Sequence, residues 1–242
     1  MVQFVLVHGA CHGAWCWVRL IPELEALGHK AVALDLPSLG ADETPIADVT
    51  FAGTIGRVVD VLEKQSEPVI LVGHSLGGVS ISAAAERAPE RIRRLVYLTA
   101  VLPANGQTVE EIYASPKAFA ETPERSAMRS PDGLSYSFVP ENARRRFYHD
   151  CTDADFAFAM AHLKPQSSIM RNSVLRLTPE RYGRVKRAYI HCADDRSIAI
   201  GLQREMVART PCDPVVTMTT AHSPFFAAPK ELARVLDGIA RG

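Results

Sequence analysis

Pro68-Val69-Ile70-Leu71-Val72-Gly73-His74-Ser75-Leu76-Gly77-Gly78 decides how the rest of this 242-residue chain is read. Val69 to Val72 are four aliphatic residues in a row, which predicts a strand buried on both faces. The alanine-rich run Val79 to Ala88 follows at once and predicts a helix. Between them lies Gly73-His74-Ser75-Leu76-Gly77, a G-x-S-x-G turn with one serine at its apex. A Cβ at position 73 or 77 would collide with the neighbouring strand or helix across such a turn. Ser75 is therefore expected in a strained backbone conformation, its hydroxyl above the sheet edge and beside a helix N-terminus.

Outward from this turn the pattern repeats. Gln3 to Val7 reads as a buried strand, Trp15 to Leu27 as a helix stopped by Gly28, and Ala31 to Leu36 as a second strand closed by Pro37. A helix over about Phe51 to Lys64 leads into the central strand, and Leu95 to Thr99 is the next strand. Strands with little polar interruption, separated by helices, predict a parallel, doubly wound α/β sheet. From about Pro103 to Gly183 the alternation stops. Prolines 116, 123, 131, 140, 165 and 179 recur there among aromatics such as Tyr113, Phe119, Tyr136, Phe147, Tyr148, Phe156 and Phe158. This segment, 103–183, reads as a mostly helical cap inserted in a single domain spanning 1–242. Alternation returns with the strand Ala188 to Cys192, a helix around Ile198 to Ala208, the strand Pro214 to Met218 and a closing helix from Pro229 to Ala240. A cap over the C-terminal strand ends covers the place where α/β sheets put their sites.

Composition excludes several partners. Lys plus Arg and Asp plus Glu both number 27, so no basic surplus points to nucleic acid and no charge run to a membrane surface. No apolar run approaches the roughly 20 residues of a membrane span. The five cysteines are odd in number and scattered, which fits a reducing compartment. The Val2–Val7 start lacks a basic leader region and a cleavage site. A soluble, cytoplasmic protein is expected.

A serine hydroxyl needs a base within hydrogen-bond reach to become a nucleophile. Of eight histidines only His222 lies beyond the penultimate strand, in the loop Thr219 to Pro224 at the sheet edge that also carries Ser75. His222 is the candidate base. An acid to orient it should follow the strand ending at Cys192, where Asp194 and Asp195 stand side by side. Spacing does not choose between them. Two donors for an oxyanion are expected from the backbone N–H of Leu76, after the serine, and of Ala10, in the His8-Gly9-Ala10 loop after the first strand. His8, Cys11, His12 and Cys16 could also be taken for metal ligands. They share one tight loop needed for the oxyanion donors and have no second ligand group, so neither metal nor organic cofactor is expected. His74 reads as a structural donor rather than a second base, and Phe156, Phe158 and Met160 as cap core rather than a substrate box.

Four motifs in this order, His8-Gly9-Ala10-Cys11-His12-Gly13-Ala14-Trp15, Gly73-His74-Ser75-Leu76-Gly77-Gly78, Cys192-Ala193-Asp194-Asp195-Arg196-Ser197-Ile198 and Ala221-His222-Ser223-Pro224-Phe225, resemble the α/β-hydrolase branch that holds the plant methyl esterases and hydroxynitrile lyases. Bacterial esterases of the same branch hydrolyse pyrethroid esters and the carbamate carbendazim. The resemblance covers the core on both sides of the insertion. It implies an α/β-hydrolase fold, with Ser75 as nucleophile, His222 as base, the N–H groups of Ala10 and Leu76 as oxyanion hole, and Asp195 rather than Asp194 as acid. Two departures narrow the chemistry. Hydroxynitrile lyases carry a threonine after the first-strand histidine and a lysine after the catalytic histidine, where this chain has Gly9 and Ser223. The resemblance thus implies a carboxylic ester hydrolase working through an acyl-enzyme, with a cofactor-free lyase and a non-catalytic ligand-binding protein as rival readings. The aromatic cap and neutral charge suggest a small, largely apolar methyl, aryl or carbamate ester, with no anchoring cation evident. Relatives are often dimers, which leaves a homodimer open.

Overall fold

The structure, a computed structural model, describes residues 1–118 and 127–242; Phe119 and Pro123 of the cap lie outside the described residues. The strands β1 (Gln3–Val7), β2 (Lys30–Leu34), β3 (Val69–His74), β4 (Ile92–Leu98), β8 (Arg187–Cys192) and β9 (Val215–Met218) form one sheet in the order β2-β1-β3-β4-β8-β9. Every neighbouring pair in it is parallel. Helices cover both faces, as parallel strands require. Because side chains alternate along a strand, the central strands feed two cores. Val5, Val7, Leu71, Leu95 and Tyr97 pack toward α2 (Phe51–Glu63) and α3 (Gly77–Arg87). Phe4, Leu6, Ile70, Val72, Val96 and Leu98 pack toward α1 (Leu20–Ala26) and α10 (Pro229–Arg241). In α10 the buried residues Leu232, Ala233, Leu236, Ile239 and Ala240 recur at helical spacing, and each large one contributes about 1.5–3 kcal/mol by leaving water.

The chain reverses its winding between β1 and β3, the second and third strands in the sheet order. A parallel sheet opens a crevice at such a switch point, outside the carboxyl ends of the strands. The loop after β1 is His8-Gly9-Ala10 and the turn after β3 contains Ser75, so the two stretches meet there. Val7 pairs with Gly73 in register, which brings them to the same height.

Three local expectations are revised. The first helix is split: Ala14–Trp17 is a single 3-10 turn and α1 begins only at Leu20, because Cys16 and Trp17 are drawn into the core. A short helix, α9 (Pro224–Ala227), directly follows His222. The insertion between β4 and β8 is not simply helical. Alongside α4 (Val109–Tyr113), α5 (Pro140–Phe147), α6 (Asp153–His162) and α7 (Ile169–Asn172) it holds an antiparallel sheet of β5 (Ala127–Arg129), β6 (Ser135–Phe138) and β7 (Gln166–Ser167). That sheet ties the cap to the first loop. The Cys11 N–H donates to the Gln166 side chain at 3.3 Å, and the Lys164 N–H donates to the Cys11 carbonyl at 3.0 Å. Phe158 is partly exposed against Trp15 and Phe226 rather than lying in a cap core. Among the described residues no helix is long and apolar enough to cross a membrane.

Candidate active site

Ser75 follows β3 with φ 52°, in the left-handed region that non-glycine residues rarely adopt. The turn is held from below. The Ser75 N–H donates to the Leu98 carbonyl at 3.3 Å, and the Ser75 carbonyl accepts from Gly78 N–H at 3.1 Å and Val101 N–H at 2.9 Å. Close approach requires the flanking glycines: a Cβ on Gly77 would lie 2.7 Å from the His8 carbonyl oxygen, and one on Gly73 2.9 Å from the Gly77 carbonyl oxygen. A Cβ on Gly9 would lie 2.8 Å from the Ser75 Cβ, so the first loop presses directly against the serine.

His222 and Asp195 are brought together. The His222 Nδ1–H donates to Asp195 Oδ2 at 2.6 Å, which leaves Nε2 with the lone pair in the neutral ring. Both side chains are almost completely buried. Asp194 is exposed, so loop phase decides in favour of Asp195. Asp195 Oδ1 accepts the N–H groups of Ser197 at 2.6 Å and Ile198 at 2.9 Å. The His222 loop is fixed twice more: His74 Nε2–H donates to the His222 carbonyl at 2.8 Å, and Asp150 of the cap accepts the Ala221 N–H at 2.7 Å. His74 is thus a structural donor, but to the His222 loop rather than within its own turn. The rings of His74 and His222 stand 4.6 Å apart and Phe147 packs on His222 at 5.4 Å.

The N–H groups of Ala10 and Leu76 have no protein acceptor among the described residues. His8 orients the first of them. Its Nδ1–H donates to the Gly9 carbonyl at 2.8 Å, and its Nε2 accepts the Leu36 N–H at 3.2 Å. Since C=O and N–H oppose each other across a trans peptide, fixing the Gly9 carbonyl aims the Ala10 N–H the other way. Burial lowers the pKa of His8, which keeps the ring neutral as both bonds demand. His12 is likewise neutral, its pKa pushed down to about 3 by burial; its Nδ1–H donates to the Ala10 carbonyl at 2.7 Å and its Nε2 accepts the Tyr148 hydroxyl at 2.6 Å. The Nε2 lone pairs of His8 and His12 are therefore both taken by protein donors.

Two side chains escaped the sequence reading. Thr99, completely buried, donates its hydroxyl to Asp195 Oδ2 at 2.5 Å. Arg146 of α5 is buried within electrostatic reach of Asp195 and Tyr113; burial lowers its pKa, against the pull of both groups. A cation does stand near the site, contrary to the expectation of none. Proximity to residues so distant in sequence left no mark in either local pattern.

Residues 4–235 match the model of the alpha/beta hydrolase family. The chain belongs to this family. Within it the chain is 36% identical to Methylesterase 2 of Arabidopsis thaliana, over 98% of this chain and 95% of the relative. It is 34% identical to Methyl jasmonate esterase 1 of Vitis vinifera, over 98% and 96%. A solved structure of the pyrethroid hydrolase PytH superposes with a TM-score of 0.88 at 28% identity, covering 100% of this chain and 98% of that one. The alpha/beta hydrolase fold and the branch shared with plant methylesterases are thus as the four motifs implied.

Proposed function

We propose that this alpha/beta hydrolase is a serine esterase that cleaves a small, largely apolar carboxylic ester, with methyl esters the first class to try. The observation that carries the reading is the buried Asp195–His222 pair beside a serine held at φ 52°. Ser75 Oγ attacks the ester carbonyl while His222 Nε2 takes its proton, and Asp195 steadies the imidazolium that forms. The N–H groups of Ala10 and Leu76 receive the developing oxyanion. His222 then returns the proton to the departing alcohol. Water, deprotonated by the same histidine, attacks the acyl-enzyme and releases the acid and Ser75. Methyl esters are favoured because the similar proteins include a methylesterase and a methyl jasmonate esterase.

The cyanohydrin-lyase reading loses support from position 223, where a completely buried serine stands in place of the lysine that would receive cyanide. A panel of methyl, aryl and carbamate esters on the purified protein tests the proposal, with Ser75→Ala as blank. The variant should lose kcat by about 10⁶-fold, the scale seen when such a nucleophile is removed. Near-normal turnover by Ser75→Ala would overturn it.

A further inference from the structure

We infer that Thr99 is a positioning residue that sets the distance and angle between the nucleophile turn and the Asp195–His222 pair. The inference rests on the serine-esterase reading above and adds a residue to it. Thr99 is the first residue after β4, and its N–H donates to the Ile190 carbonyl on β8 at 2.8 Å. Its hydroxyl donates to Asp195 Oδ2, the same oxygen that accepts the His222 Nδ1–H. With Ser197 and Ile198 on the other oxygen, the carboxylate has four donors on its four lone-pair sites. Its rotation is thereby fixed independently of His222, which it must in turn orient.

The same four-residue segment grips the nucleophile. The Leu98 carbonyl accepts the Ser75 N–H, and the Val101 N–H donates to the Ser75 carbonyl. Between them the Ala100 carbonyl accepts the Tyr189 hydroxyl at 2.7 Å, which pins the middle of the segment. Residues 98–101 are thus a rigid bridge with the serine on one side and the acid on the other. Thr99 has φ 35°, a conformation a β-branched residue adopts only against resistance, and strain of this kind collects where a fold holds a side chain for use.

The titratable and charged groups around the pair come from several elements: His74 and, from the first loop, His12 facing His222, Asp150 of the cap on the Ala221 N–H beside it, Tyr113 of α4 and Arg146 of α5 on the cap side of Asp195, and Tyr189 and Cys192 of β8. Of the four donors to the Asp195 carboxylate, the Thr99 hydroxyl alone can be removed with almost no change of shape. Without the hydroxyl, negative charge concentrates on Oδ2 and holds a proton on His222 to higher pH, while the carboxylate gains freedom to turn.

Thr99→Val removes the donor and keeps the branching, Thr99→Ala removes both, and Thr99→Ser keeps the donor. With p-nitrophenyl acetate as probe, Thr99→Val and Thr99→Ala should lose about tenfold or more in kcat with KM within about twofold, the range expected for one hydrogen bond to a charged group. The acid limb of their kcat/KM profiles should move to higher pH by about half a unit or more. Thr99→Ser should recover most of the loss and the original limb. Wild-type kcat and limb in whichever donor-free variant folds, a kcat loss with an unmoved limb, or a Thr99→Ser as impaired as Thr99→Val would each overturn the inference. Ser75→Ala, run alongside, separates the two claims. If it stays active the serine mechanism fails; if it is dead while Thr99→Val matches wild type, only the role of Thr99 fails.

Discussion

His74, the residue before the candidate nucleophile, donates its Nε2–H to the main-chain carbonyl of His222, the candidate base, across 2.8 Å. The bond joins the end of β3 to the loop after β9, 148 residues away in sequence. Burial drives the His74 pKa well below its usual value, so the ring is neutral and Nε2 carries the proton that the bond needs. His74→Phe should cost about 1–3 kcal/mol of stability through the orphaned buried carbonyl, and lower kcat by about tenfold as the His222 loop loosens. Urea unfolding and steady-state kinetics measure the two effects. Unchanged stability would mean that the His222 carbonyl finds another donor.

Gly9 is the second test of close approach. An alanine there would put its Cβ 2.8 Å from the Ser75 Cβ and 2.9 Å from His74 Nδ1. Both neighbours sit on backbone that cannot swing aside, so the loop carrying the Ala10 N–H must retreat. Gly9→Ala should fold and lose about 10²-fold in kcat, the scale of one displaced oxyanion donor. Activity within threefold of wild type would show that the Ala10 N–H is not used.

Acid should destabilise the protein early. His8, His12 and His74 are fully buried, with pKa values lowered chiefly by burial, His12 to about 3. In the unfolded chain they titrate near 6.5, so below that pH the unfolded state binds more protons. Their contribution is complete above pH 6.5 and is lost as the pH falls toward the folded values. Between pH 7.5 and 5.5 His12 alone should lower the unfolding free energy by about 1.4 kcal/mol, and His8 and His74 add to the loss in the same direction. Equal urea midpoints at the two pH values would contradict this.

The sheet and the principal site residues were legible because each leaves a local mark. The strand Val69–His74 is continuously apolar, the pentapeptide around Ser75 has its glycines at fixed offsets, and His222 stands alone beyond the penultimate strand. Asp195 was not separable from Asp194 by spacing, since one residue of loop phase decides which carboxylate turns inward. The cap sheet was missed because β5, β6 and β7 are four residues or shorter and β7 pairs with β6 only after two intervening helices. Thr99 was missed for a related reason: its hydroxyl reaches Asp195 across 96 residues, and nothing in Leu98-Thr99-Ala100 announces it. Arg146 reads locally as one of three consecutive arginines, and only the docking of α5 buries it.

The claim that Ser75 is a nucleophile activated by His222 is tested most directly by treating wild type, Ser75→Ala and His222→Ala with a fluorophosphonate and mapping the adduct by peptide mass spectrometry. One adduct is expected, on Ser75, formed rapidly in wild type, absent in Ser75→Ala and slowed by several orders of magnitude in His222→Ala. An unmodified Ser75 in wild type, or equally fast labelling of His222→Ala, would contradict it.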